Sequence, residues 1–178
     1  MKTLLVENTI NTPEFKQWFL GSKVVDKSGD PLIVKHWTFN DFTVFDRLAA
    51  VKLFKRDTQA PERIGHWFTD SDEPKLYGEK EMKLYLSIKN PKIYDHIVEK
   101  KSTGKQLFDD IVKFGGADKF RELLHNMNYD GIIVKNSHID GYNQNVYVTL
   151  EPYQVKSAMG NSGEFNSNNP DITKEEQI

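Results

Sequence analysis

Leu32-Ile33-Val34 is an apolar run with two β-branched members, introduced by Gly29 and Pro31, and it predicts a buried strand. The run breaks into Lys35, His36, Trp37 and Thr38, so the strand ends in an imidazole, an indole and a hydroxyl. Such an end, where a sheet meets solvent, can form the floor of a ligand site. Gly65 to Asp70 reads as a second, aromatic strand ending in a turn. Met82, Leu84, Leu86 and Ile88 alternate with Lys83, Tyr85 and Ser87, the period of a half-buried strand closed by Asn90-Pro91. Ile132 to Val134 is a buried strand after the turn Asn128 to Gly131, and Val146 to Leu150 is the final strand. Lys23 to Val25 reads as a short strand before the turn Asp26 to Gly29.

Helical spacing lies between these runs. Thr12-Pro13-Glu14 supplies a cap, a proline at the first position and an acid in the first turn. Phe15, Trp18 and Phe19 then share one face, and Gly21 stops the helix. Further helices are expected over Asp46 to Arg56, Ser71 to Glu79 (with Tyr77 in its last turn), Tyr94 to Lys100, Lys105 to Phe114 and Ala117 to Met127. Phe39 to Phe45, Asp57 to Glu62 and Ser137 to Asn145 read as loops. From Gly160 onward the chain has too few apolar residues to fold alone, which predicts one domain over residues 1–159 and a partly ordered tail over 160–178.

Composition narrows the chemistry. The 178 residues are 38% apolar and 28% charged with a net charge of −2, which fits a soluble globular protein and gives no global pull toward nucleic acid or an anionic membrane. The chain has no cysteine, so disulfides, a thiolate nucleophile and Cys-ligated metal are excluded. A cytoplasmic setting is expected, and the brief apolar patch of the first residues is too short for a membrane span. The five histidines are scattered without HExxH spacing, so no metal site is expected. Walker A, GxGxxG and nucleophile-elbow patterns do not occur.

The order of several segments is more telling than any one of them. Ser22 to Asp26, Gly29 and Pro31 to Val34 lead into His36 and Thr38. Gly65, Phe68-Thr69-Asp70, Tyr77 and Leu84 to Pro91 follow. Then come Tyr129 to Val134, Val146-Tyr147-Val148, Gln154 to Ala158, Asn161, Gly163, Phe165 and Asn169 to Ile172. In this order the chain resembles the ADP-ribosyltransferase-like domains of phage and mobile-element polyvalent proteins, within the diphtheria-toxin and poly(ADP-ribose) polymerase superfamily. The C-terminal series from Gln154 to Ile172 is its most specific part.

The resemblance implies an α+β fold: a split β-sheet core with flanking helices, binding NAD as co-substrate without a Rossmann motif. It implies a toxin-like transferase that moves one ADP-ribose to a protein or nucleic-acid acceptor. His36 would hold a ribose hydroxyl, the backbone at Trp37 would pair with the nicotinamide amide, Thr38 would reach sugar, and Tyr77 would stack on the nicotinamide ring. Phe68 and Thr69 are further NAD-contact positions. Two residues depart from the pattern. Trp37 stands where the family usually has glycine, and Val146 stands where it usually has the catalytic glutamate. Gln144 and Asn145 are then the nearest polar candidates for the ribose 2′-hydroxyl, and Glu151 is expected to be a turn residue. A glutamate at Val146 is expected to face the ribose. A chain without that carboxylate is alternatively a degenerate NAD- or partner-binding module, or an NAD glycohydrolase.

Overall fold

A computed structural model describes residues 9–53, 60–72, 78–95, 103–137, 144–161 and 163–173. Among these residues the strands are β1 (Val34–Thr38), β2 (His66–Thr69), β3 (Lys80–Leu86), β4 (Pro91–Asp95), β5 (Gly131–Ser137), β6 (Gln144–Thr149) and β7 (Val155–Ser157). The helices are α1 (Pro13–Phe19), α2 (Ala49–Leu53), α3 (Thr103–Lys113) and α4 (Ala117–Asn126). The seven strands form one mixed sheet in the order β4-β5-β6-β2-β1-β3-β7. β4 and β5 are parallel, and every other neighbouring pair is antiparallel. The fold is α+β.

Side-chain alternation splits the sheet into two apolar faces. One face carries Val34, Phe68, Leu84, Leu86, Ile133 and Tyr147, covered by Val24, Phe45 and Ile172. The other carries Ile132, Val134, Val146 and Val148, packed under Leu107, Ile111, Phe120 and Leu124 of α3 and α4. Tyr85 belongs to that second face and meets Phe15, Trp18 and Phe165. The start of α1 follows from its sequence: the Thr12 hydroxyl accepts from the Phe15 N–H at 3.2 Å, and Phe15 and Trp18 turn inward. Gly115 and Gly116 join α3 to α4 with φ of 87° and 108°, values that a side chain disfavours.

Several elements differ from expectation for identifiable reasons. Asn90-Pro91 follows the end of β3, as expected, but a strand and not a loop and helix comes next. Pro91 opens β4, an edge strand whose first residue can lack an N–H, and Tyr94-Asp95 belongs to that strand rather than to a helix. Lys23 to Val25 makes only an isolated bridge, Val25 to Pro31. Gln144 and Asn145 are already in β6, paired back toward Ser137 across an irregularity. Val155 to Ser157 adds a seventh strand that apolar periodicity does not reveal, because it carries a buried lysine. The expected helix at Ser71 to Glu79 lies largely outside the described residues, as does the end of the helix from Asp46.

The stretch after Gly160 packs onto the domain as far as Thr173. Phe165 and Ile172 are buried, and Val44 bridges Asp171. Lys156, 1% exposed, donates from Nζ to the carbonyls of Asn169 and Asp171 at 2.6 and 2.8 Å. Two sparse apolar side chains and one buried ammonium thus hold a segment that composition reads as a tail.

Candidate active site

β1 lies between β2 and β3, and this placement brings the candidate residues toward one another. The register Lys35 to Thr69 sets His36 beside Phe68, and Phe68 in turn pairs with Tyr147. His36 sits among aromatic rings, with centroids 5.0 Å from Phe45, 5.7 Å from Phe68 and 6.0 Å from Phe42. Its Nδ1 donates to the Trp67 carbonyl at 2.8 Å. Loss of water among these rings lowers its pKa, against the opposing effect of that hydrogen bond. A neutral imidazole with hydrogen on Nδ1 leaves Nε2 as an acceptor, the form that can receive a sugar hydroxyl.

His66 stands one step along the same face, 5% exposed and 5.4 Å from the Phe45 ring. Burial lowers its pKa to about 3, helped by the charges of Arg121 and Arg47 and by repulsion from any proton on His36, and opposed by Asp46. The sequence singles out neither His66 nor Phe45, because each is an ordinary aromatic position until the register places it beside His36.

The end of β1 is crowded. A Cβ on Gly78 would lie 2.1 to 2.5 Å from Thr38 backbone atoms, and Gly78 has φ +149°, so only glycine lets the chain pass here. The Thr38 hydroxyl both donates to the Asn40 carbonyl and accepts from the Asn40 N–H, at 3.3 and 3.2 Å. Alternation turns Trp37 to the opposite face from His36, and its indole Nε1 is buried with no hydrogen-bond partner among the described residues. Tyr77 lies outside the described residues.

The remaining candidates fall on both faces. Gln144 is buried on the helix-covered side, where its Oε1 accepts from the Thr69 hydroxyl. Asn145 is on His36's side, at the start of β6. Its N–H and Nδ2 donate to the two carboxylate oxygens of Asp70 at 2.8 and 2.7 Å, and its Oδ1 accepts from the Asn136 N–H at 2.9 Å. Val146, 5% exposed, packs in the helix-covered core, so a carboxylate there would enter that core and not face His36. The expectation that it would face the ribose therefore fails on the strand's two-residue period. Glu151 caps the short turn Pro152–Gln154 and pairs with Arg121 at 2.6 Å, consistent with a turn residue.

No group of three His, Asp or Glu among the described residues is placed to hold a metal ion. No helix among them is long and apolar enough to cross a membrane.

The fold is a seven-stranded α+β core with His36 on an inner strand, and the chain carries no dinucleotide-binding glycine loop. The sequence pattern of the ADP-ribosyltransferases in polyvalent proteins matches residues 26–165, and the chain belongs to that family. Searches of curated proteins and of solved structures gave no match.

Proposed function

We propose that this chain is a mono-ADP-ribosyltransferase acting in the cytoplasm on a protein or nucleic-acid acceptor, with NAD as its co-substrate. NAD carries a cationic nicotinamide joined to ribose by a C–N bond. Heterolysis sends that electron pair to the ring nitrogen and leaves an oxocarbenium-like ribose, as in glycoside cleavage. An acceptor nucleophile then adds at the sugar carbon and loses its proton to solvent. The protein's part is to hold the ribose, retain the ring and stabilise the developing charge.

One observation carries the reading: within a chain of this family, His36 is held neutral with Nδ1 committed to the Trp67 carbonyl and Nε2 left to accept. In this reading Nε2 takes a ribose hydroxyl, and the Trp37 backbone and the Thr38 hydroxyl meet the ligand where the strand ends. Tyr77 covers the nicotinamide face, and its sequence neighbour Gly78 lies against Thr38. Phe68 flanks the ligand on His36's face, whereas Thr69, read from the sequence as a second contact, turns to the helix-covered side with its hydroxyl on Gln144.

A second reading is a module that binds NAD without transfer. It is favoured by Val146, which puts an apolar residue in the core where the family usually has a carboxylate. Incubation with labelled NAD and cell lysate separates the two. Label on macromolecules supports transfer, free labelled ADP-ribose supports hydrolysis, and intact NAD retained by the protein supports binding alone. His36→Ala should weaken NAD binding at least about tenfold, the scale of one lost hydrogen bond to an unpaired buried partner, in a chain that still folds with a melting temperature lowered by the space left among Phe42, Phe45 and Phe68. Equal NAD titration of parent and variant would remove His36 from the site.

A further inference from the structure

If Val146 cannot supply negative charge on His36's face, the question becomes which carboxylate can. β2 carries His66 and Phe68 on that face, Phe68 lies beside His36, and Asp70 follows directly after the strand, bonded to Asn145, which is on that face too. Asp70 is thus the diagonal neighbour of His36 across the strand pair, a relation that places Cα atoms about 7–8 Å apart. Its position at the end of β2 is fixed from the far strand: both oxygens accept from Asn145, one from the main-chain N–H and one from Nδ2. The Asp70 N–H is bonded in turn to the Asn145 carbonyl at 3.3 Å. Asn145 is itself held by the Asn136 N–H. The two strand ends are therefore clamped, and the carboxylate is oriented by neutral amide donors. A carboxylate can accept about four hydrogen bonds, so these two donors leave capacity for more. Its charge is felt nearby: burial and, secondarily, Asp70 raise the pKa of the Tyr147 phenol, one row along the same face.

We propose that Asp70, oriented by Asn145, is the carboxylate that stabilises the ribose cation in this chain. The proposal rests on the transferase reading above. It moves the negative charge from the last central strand to the strand beside it, and it gives Asn145 a positioning role in place of direct contact with the ribose. As the C–N bond breaks, the electron pair leaves with nicotinamide and the positive charge passes to the sugar, next to a charge that is already in place. No proton is transferred to or from Asp70 in this step.

The test compares the parent, Asp70→Asn, Asn145→Ala and the exchange Asp70→Asn/Asn145→Asp, by nicotinamide release and NAD titration on the full chain. Asp70→Asn removes the charge and also turns one of the two acceptors facing Asn145 into a donor, so one bond of the clamp is lost with it. It should lower kcat by about 10²-fold or more with NAD affinity near the parent's, alongside a fall in melting temperature from the lost bond. The exchange restores both the carboxylate and the hydrogen-bond pairing and should recover at least tenfold of that loss. Asn145→Ala, which loosens the clamp and keeps the Asp70 charge, is the structural control and should retain at least tenfold more kcat than Asp70→Asn, an equal loss in the two marking Asp70 as structural only. A kcat for Asp70→Asn within threefold of the parent, or no recovery in the exchange variant, overturns the role of Asp70 and leaves the transferase reading intact. A parent that binds NAD but releases no nicotinamide also overturns it, in favour of the binding module. A parent that binds no NAD overturns both.

Discussion

His66 makes the fold sensitive to acid, and the size of the effect can be worked from its surroundings. The ring is 5% exposed, packed on Phe45, and faces Arg121, His36 and Arg47 with only Asp46 in its favour, which brings its pKa from 6.5 to about 3. The unfolded chain takes up a proton on this residue below pH 6.5, and the folded chain does not until about pH 3. The contribution of this residue is therefore fully present above pH 6.5 and is lost as the pH falls toward 3. Each pH unit over which only the unfolded chain holds the proton is worth about 1.4 kcal/mol, so this one group costs about 2 kcal/mol by pH 5. His36, also lowered by burial, adds to the loss in the same direction. Urea unfolding at pH 7.5 and 5.0 measures it. His66→Leu, of similar bulk and without a titrating group, should lose about 2 kcal/mol less than the parent over that interval. Equal losses in parent and variant would refute the reasoning, since they would mean that His66 titrates alike in both states.

Other outcomes follow from the same geometry. Val146→Glu should lower stability by about 3 kcal/mol or more by burying a carboxyl under α3 and α4, and should not raise nicotinamide release; a thermal melt and an end-point assay check both. Gly78→Ala forces a methyl into the Thr38 backbone at a φ that disfavours side chains, so it should lower the melting temperature and weaken NAD binding together. Lys156→Met should cost about 2 kcal/mol by removing a charged donor from two carbonyls, and limited proteolysis should then cut between residues 160 and 173. Gln154→Ala removes the side-chain partner of the Ser87 carbonyl and the Glu151 N–H and one of two donors to the Asp130 carbonyl, and denaturant unfolding should show a loss of about 2 kcal/mol.

Much of the frame was legible from residue order. The apolar run before His36, the alternation from Met82, the run Ile132 to Val134 and the two glycine-joined helices all became elements at or near the expected places. These are segments where one face meets a core, so the apolar period is strong. β4 and β7 were not legible, because each depends on a partner far along the chain: β4 on β5, and β7 on β3. The site was legible as residue types but not as faces. Gln144 and Asn145 are neighbours in sequence and project to opposite sides of the sheet, one toward Thr69 and one toward Asp70. Only the pairing of β2 with β6 decides which of them shares a face with His36. Asp70 reads locally as a helix cap, and its clamp to Asn145 spans 75 residues.

The ammonium of Lys156 has a consequence for how the chain is made. Its two acceptors lie 13 and 15 residues later, so β7 cannot close with that charge satisfied until the chain has grown past Asp171. Without that segment, docking against β3 would bury an ammonium with no acceptor, so the edge closes only together with residues 169–171. Completion of the sheet is therefore timed by a segment with almost no apolar content of its own, and a chain released before residue 171 would keep its last strand undocked.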